Sequence, residues 1–269
     1  MALAERSGDA VEIAQTAGNL AALALRAGHN RLAYDSACSA AQRFESMGAV
    51  GLHRQINSLT MARCAAHFGQ FGEALDLLPA LCGADPGAAV PSTLQVLARV
   101  TLCSLLSWLG RPVDAAQALP ADDLALAPLA RALVLLARLQ LRLGDSDAAP
   151  ERQTLAALGQ QVPSLLDDPL LLRDWSLYQD PREAAPRLLQ SSARLRQGGA
   201  AGLANSLEVV AVSRLMLFDD AAAATLARRL RRTQPQGLHA VSYPPQAWWT
   251  LAQALRATGS AQARRDALR

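Results

Sequence analysis

The sequence predicts an all-α fold, a solenoid of about seven helix-turn-helix pairs, and three observations carry that prediction. The first is a turn that recurs along the chain. A Gly or polar residue at 28, 69, 110, 144, 179, 219 and 259 follows an apolar helical run, and Ala stands five positions later at Ala33, Ala74, Ala115, Ala149, Ala184 and Ala224. The seventh turn has Arg264 there, with Ala263 beside it. The second is spacing: successive anchors lie 41, 41, 34, 35, 40 and 40 residues apart, the period of stacked helical hairpins. The third is composition. Of 269 residues 51% are hydrophobic but only 4% aromatic, so the core must be built from Ala, Leu and Val. Ala and Leu favour helix, and no alternating run argues for strands.

The pairs follow in order. The first is predicted over 10–27 and 31–47, the second over 51–68 and 72–82, before a Gly, Ala, Asp and Pro loop from Gly83 to Pro91. The third covers 92–109 and 112–119, ending near Pro120; the fourth covers 123–143 and 147–161. The fifth covers 165–178 and 181–197, with Pro169 and Pro186 near helix starts, where Pro is tolerated. Gly198 and Gly199 separate it from the sixth, over 201–217 and 219–233; a Pro- and Gly-containing loop leads to the seventh, over 246–257 and 260–269. Each turn has a physical rationale. Gly accepts the left-handed backbone of a helix C-cap. Asn30, Asp145, Asp180 and Ser260 are placed to cap the next helix. Glu73, Asp114, Asp147 and Glu183 sit in first turns, where the dipole favours acids. A single domain over 1–269 is expected. The chain starts almost on a helix and stops inside one, and a solenoid usually needs polar capping helices, so the expectation is a module of a longer protein, with capping by a second copy as the alternative.

All 26 basic residues are Arg, against 23 acids, for a net charge of +3. Residues 1–134 hold 9 Arg and 11 acids; the remainder hold 17 Arg and 12 acids, so the halves carry −2 and +5. That tilt falls short of a nucleic-acid-binding domain. Cys38, Cys64, Cys82 and Cys103 form no CxxC pair and read as buried reduced thiols acting as small hydrophobes. No signal core or membrane-spanning run is present, so a soluble cytoplasmic protein is expected.

No catalytic constellation emerges, and no catalytic residue, metal or cofactor is assigned. Cys64 and His67 lie three apart on one helix, but two ligands do not make a zinc site. Asp122-Asp123 and Asp167-Asp168 stand just before helices and read as caps. No phosphate loop, GxSxG or HExxH occurs.

At these positions the chain resembles the tetratricopeptide repeat family. Eight residues before the anchors stand Leu20, Met61, Leu102, Leu136, Leu171, Ala211 and Leu251; seven before stand Ala21, Ala62, Cys103, Ala137, Leu172, Val212 and Ala252. That is the family's order of large apolar, small residue, turn Gly and Ala. Trp248 and Pro86 take positions where the family favours Trp and Pro; the other pairs lack these marks. Spacings near 40, and the stretch Ala41-Gln42-Arg43-Phe44-Glu45-Ser46-Met47-Gly48, are similar to the longer MalT-like repeats of bacterial regulators. The resemblance covers about residues 10–269. It implies a right-handed superhelix and a scaffold or regulatory arm that binds a protein or peptide, or a ligand-sensing or self-associating arm of a larger regulator.

In that family the first helix of each pair lines a concave groove. The corresponding positions, 13, 10, 6, 3 and 2 before each anchor, hold Arg26, Arg63, His67, Trp108, Arg131, Arg138, Arg142, Arg173, Trp249 and Arg256, and no acid. These ten are the candidate groove. Seven Arg with aromatic platforms would suit an acidic peptide, a C-terminal carboxylate or another anion. The competing reading is that Arg stems cover apolar faces, that some Arg pair with acids on second helices, and that Trp108 is core. The run Arg228-Arg229-Leu230-Arg231-Arg232 reads as positive charge complementing a helix C-terminus. The expected partner is a protein or peptide, an acidic one included, or a second copy; neither nucleic acid nor membrane is expected.

Overall fold

The computed structural model describes residues 9–48, 51–83, 91–121, 125–142, 148–232, 237–240, 242 and 244–257. These are all-helical, with no strand. Among the described residues there are thirteen α-helices: α1 (Ala10–Ala27), α2 (Asn30–Ser46), α3 (Leu52–His67), α4 (Phe71–Leu81), α5 (Thr93–Trp108), α6 (Pro112–Ala118), α7 (Pro128–Leu141), α8 (Ala149–Gln161), α9 (Pro169–Trp175), α10 (Pro181–Gln197), α11 (Ala201–Leu215), α12 (Asp220–Arg232) and α13 (Pro244–Ala257). Short 3-10 turns at Pro163–Asp167 and Ser176–Tyr178 flank α9, so the helix predicted over 165–178 is broken. Pro169 starts a fresh helix there, with Asp168 as its N-cap accepting from the Leu170 and Leu171 N–H groups at 2.9 and 3.0 Å. The turn at Gly144, Asp145, the pair Asp122-Asp123, Pro86, and Gly259 with Ser260, Ala263 and Arg264 lie outside the described residues.

The anchor turns close by backbone hydrogen bonds. After α3, the Gly69 N–H donates to Ala66 O and the Gln70 N–H to Ala65 O; after α5, Gly110 donates to Ser107 O and Arg111 to Leu106 O. Both glycines are left-handed, at φ 79° and 72°. Each therefore forms a Schellman-type cap that a side chain would strain. Five residues past the anchors, Ala33, Ala74, Ala115, Ala184 and Ala224 are fully buried, because at these points neighbouring helices leave no room beyond a methyl. The fourth pair departs: Ala149 is exposed and Ala148 is buried instead.

Contacts divide the chain into two compact units, residues 1–25 with 30–165, and residues 26–29 with 166–269, where the sequence reading expected one domain. In the first, α1 packs on α2 through Ala14, Ala17, Ala40 and Phe44. From α2 to α8 each helix packs on the next, and α3, α5 and α7 also touch in succession. Leu59, Ala62, Leu78 and Leu105 form its largest cluster. In the second unit, α11 lies against α9, α10, α12 and α13. It is buried on almost every face, and its Leu207 and Val212 pack with Leu188, Leu230 and Leu251 from its neighbours. Among the described residues, no helix is long and apolar enough to cross a membrane.

Candidate functional site

The proposed groove arginines are drawn largely into contacts within the protein. Arg63 on α3 donates from Nε to Thr101 Oγ1 on α5 at 3.2 Å. Arg138 on α7 donates from Nη2 to the carbonyls of Pro120 and Ala121 at 2.7 and 3.1 Å. Arg142 pairs with Glu151 on α8 at 2.9 Å, a pairing of first-helix base with second-helix acid that the sequence left open. Arg173 forms a forked pair with its neighbour Asp174, at 2.6 and 2.8 Å. Arg131 is half-buried on α7, while Arg26 and Arg256 are exposed near the ends of α1 and α13. His67 is half-buried, its ring edge-on to Phe68. Trp108 is half-buried and packs on the Leu59–Leu105 cluster, as a core residue does. Trp249 is 63% exposed.

A repeated device accounts for part of this. Arg99 on α5 donates to Cys82 O beyond α4, Arg138 to carbonyls beyond α6, and Arg214 on α11 to Gln179 O beyond the 3-10 turn. Carbonyls at helix ends lack internal partners, and a guanidinium from a later helix satisfies them. Arg at these positions thus stitches one hairpin to the next.

The structure brings two of the ten residues, Arg138 and Arg142, to one cleft. It lies between α6 and α7, has a volume of about 530 Å³, and is walled by Pro112, Val113, Ala116, Leu119 and Leu141. Its lining is apolar because α6 is short and thin: Ala115 closes against the core while Val113, 69% exposed, stays open to solvent. Arg142 is about half exposed, and Glu151 engages its Nη1, leaving further donors of the five on a guanidinium. A cleft with an apolar wall and two cations at its edge can hold an extended segment bearing an apolar anchor and a carboxylate.

Sequence reasoning missed a second polar centre, in the second unit. Glu208 on α11 has a side chain only 3% exposed. Its Oε1 receives Arg196 from α10 and Arg229 from α12, each at 3.0 Å, and the Ser192 hydroxyl at 2.9 Å. Arg196 also donates to Asn205 Oδ1 at 2.9 Å, and Asn205 Nδ2 donates to Gly237 O at 2.8 Å. One turn away, Ser206 Oγ accepts from the His239 N–H and the Ser242 hydroxyl. Asn205, Ser206 and Glu208 therefore clamp α10 and α12 and pin the segment that follows α12. Arg229, read from sequence as dipole complement, reaches inward to Glu208. The available signal was Asn205, Ser206 and Glu208 standing within an otherwise Leu-, Val- and Ala-rich helix.

In the first unit Tyr34 on α2 donates its hydroxyl to Glu73 on α4. That bond, with burial, raises the tyrosine pKa above its ordinary value. Burial pushes the Cys64 and Cys103 thiols up to about 12, so both stay protonated and unreactive at neutral pH. Cys38 and Cys82 are only half-buried, unlike the fully buried thiols expected. Comparison of the chain with protein-family models, curated proteins and solved structures finds no match in any of the three.

Proposed function

We propose that this chain is a non-catalytic binding module: a right-handed, tetratricopeptide-like solenoid that takes a protein or peptide segment in a bacterial cytoplasmic regulatory or scaffolding system. The observation that carries the reading is the α6–α7 cleft, apolar along Val113, Ala116 and Leu141 and edged by Arg138 and Arg142. Support for the repeat architecture comes from the like-built turns at Gly69 and Gly110 and from the successive contacts of α3, α5 and α7. An acidic segment with an apolar anchor is the occupant this chemistry favours.

The test uses fluorescence anisotropy with labelled peptides that combine Asp or Glu with one Leu or Phe anchor, against basic peptides of equal length. The acidic set binds and the basic set does not. Val113→Glu weakens binding at least about tenfold, with helicity by circular dichroism unchanged because Val113 is largely exposed. Equal binding of both sets, or undiminished binding by Val113→Glu, overturns the reading. One observation favours self-association as the second reading: the adjacent Trp248 and Trp249 on α13 are both exposed, Trp249 to 63%, and neighbouring exposed apolar side chains mark interaction surfaces. A mass that rises with concentration in sedimentation, and falls back in Trp249→Ala, would move the assignment there.

A further inference from the structure

We propose that the second unit carries a binding site for a small organic polyanion, a phosphate ester or a di- or tricarboxylate, in a cavity beside α10. The site is separate from the α6–α7 cleft and does not depend on what that cleft binds. The cavity has a volume of about 300 Å³, at the lower end of the range for small-molecule sites. Arg187 and Arg194 stand seven residues apart on α10, with Gln190 and Ser191 between them, so all four share one helix face. Arg26, which belongs to this unit, adds a third guanidinium to the lining. Leu172 and Pro169 from α9, with Leu195, supply the apolar part of the wall.

Several arginines of the protein are held by acids. Arg31, Arg111, Arg142, Arg173, Arg196 and Arg229 each reach a carboxylate within 4 Å. Among the described residues Arg26, Arg187 and Arg194 do not, and the cavity gathers all three, although Asp167 lies on it too. Gathering three like charges around a concave, partly apolar wall raises the potential there and concentrates anions. It is unfavourable until a counter-charge arrives. Guanidinium forks match carboxylate and phosphate oxygens two at a time, Gln190 and Ser191 offer neutral donors, and Asp167 offers an acceptor for a ligand hydroxyl. A polyanion with hydroxyl groups satisfies every one of these, whereas a cation or an apolar ligand leaves three charges unmatched.

The experiment is calorimetric titration of the full chain with pyrophosphate, glycerol 3-phosphate and citrate at moderate salt. At least one probe binds with a Kd below about 1 mM; which probe binds tighter separates phosphate from carboxylate as the natural group. Arg187→Gln with Arg194→Gln weakens that binding at least tenfold, and Arg31→Gln, whose arginine lies in the other unit, leaves it unchanged. Ser191→Trp, which fills the cavity and keeps every charge, produces the same loss. Absence of binding by all three probes overturns the proposal. So does binding within twofold of the wild type in either cavity variant.

Discussion

The two units bury their helices by opposite means. In the first, polar groups gather at helix ends: Ser92 and Gln95 form a capping box before α5, Gly69 and Gly110 turn the chain, and Arg99 and Arg138 satisfy carbonyls beyond α4 and α6. Between the ends, packing rests mainly on Ala and Leu, with Asn57 and Thr60 buried among them and the Tyr34–Glu73 and Arg63–Thr101 bonds joining helices part-way along. In the second unit a helix buried on almost every face carries Asn205, Ser206 and Glu208 into the interior, where they meet Ser192, Arg196, Arg229 and the backbone near His239. The first arrangement adds one hairpin to another with little dependence on distant sequence. The second ties three segments to one helix, so it gains specificity and is exposed to single changes. Buried polar groups are costly when half satisfied and stable when complete.

Glu208→Ala is the sharpest way to break that difference. It leaves two guanidiniums without a carboxylate and Ser192 with only the Leu189 carbonyl to donate to. Arg196 and Arg229 keep side-chain exposures of 35% and 57%, so water relieves part of the loss. The expected cost is about 2–3 kcal/mol, below that of breaking a fully buried pair. Hydrogen exchange should show α10–α13 losing protection while α3–α7 keeps it; equal loss in both units would make the polar centre incidental.

A smaller effect is expected on the other side. Gly110→Ala forces a methyl onto a backbone at φ 72° and should cost about 1 kcal/mol, read as faster exchange in α5 and α6. No open-space clash adds to it, because nothing lies within 4 Å of a Cβ built there. An unchanged unfolding midpoint would contradict the strain argument.

The smallest is a pH effect confined to the first unit, which holds all four cysteines. Burial raises the Cys64 and Cys103 pKa values from 9.0 to about 12. Below about pH 9 both folded and unfolded chains keep these protons, and the stability is fully present. Between about pH 9 and 12 the unfolded chain releases protons that the folded one retains, so stability falls as pH rises. The double variant Cys64→Ala, Cys103→Ala should flatten that fall in denaturant titrations. An unaltered slope would assign the alkaline loss to other groups, Tyr34 among them.

Particular residues show what was readable in advance. Gly69 and Gly110 were legible as turns because few other residues accept a left-handed backbone without strain. The small residues Ala21, Ala62, Cys103 and Ala137 were legible as helix contacts, and each is buried. The end of α5 at Trp108 and the start of α6 at Pro112 fall within a residue of expectation. The break around Pro169 was not legible, since a Pro at a first helical position is equally compatible with a longer element. Nor was the role of Arg138. Periodicity places it on a face of α7, but not beside the carbonyls of Pro120 and Ala121.

The amino-acid sequence by itself determined that the chain is helical, where most helices begin and end, and which small residues face a neighbour, because caps, left-handed glycines and a 3.6-residue period are local properties. Tertiary structure alone decided that Arg142 meets Glu151, that Glu208 gathers Arg196 and Arg229, and that Arg187 and Arg194 line a cavity without an acid partner among the described residues. A charged side chain's partner depends on which helix arrives opposite it in space. That arrangement is a sum over many weak apolar contacts, and no short stretch of sequence records it.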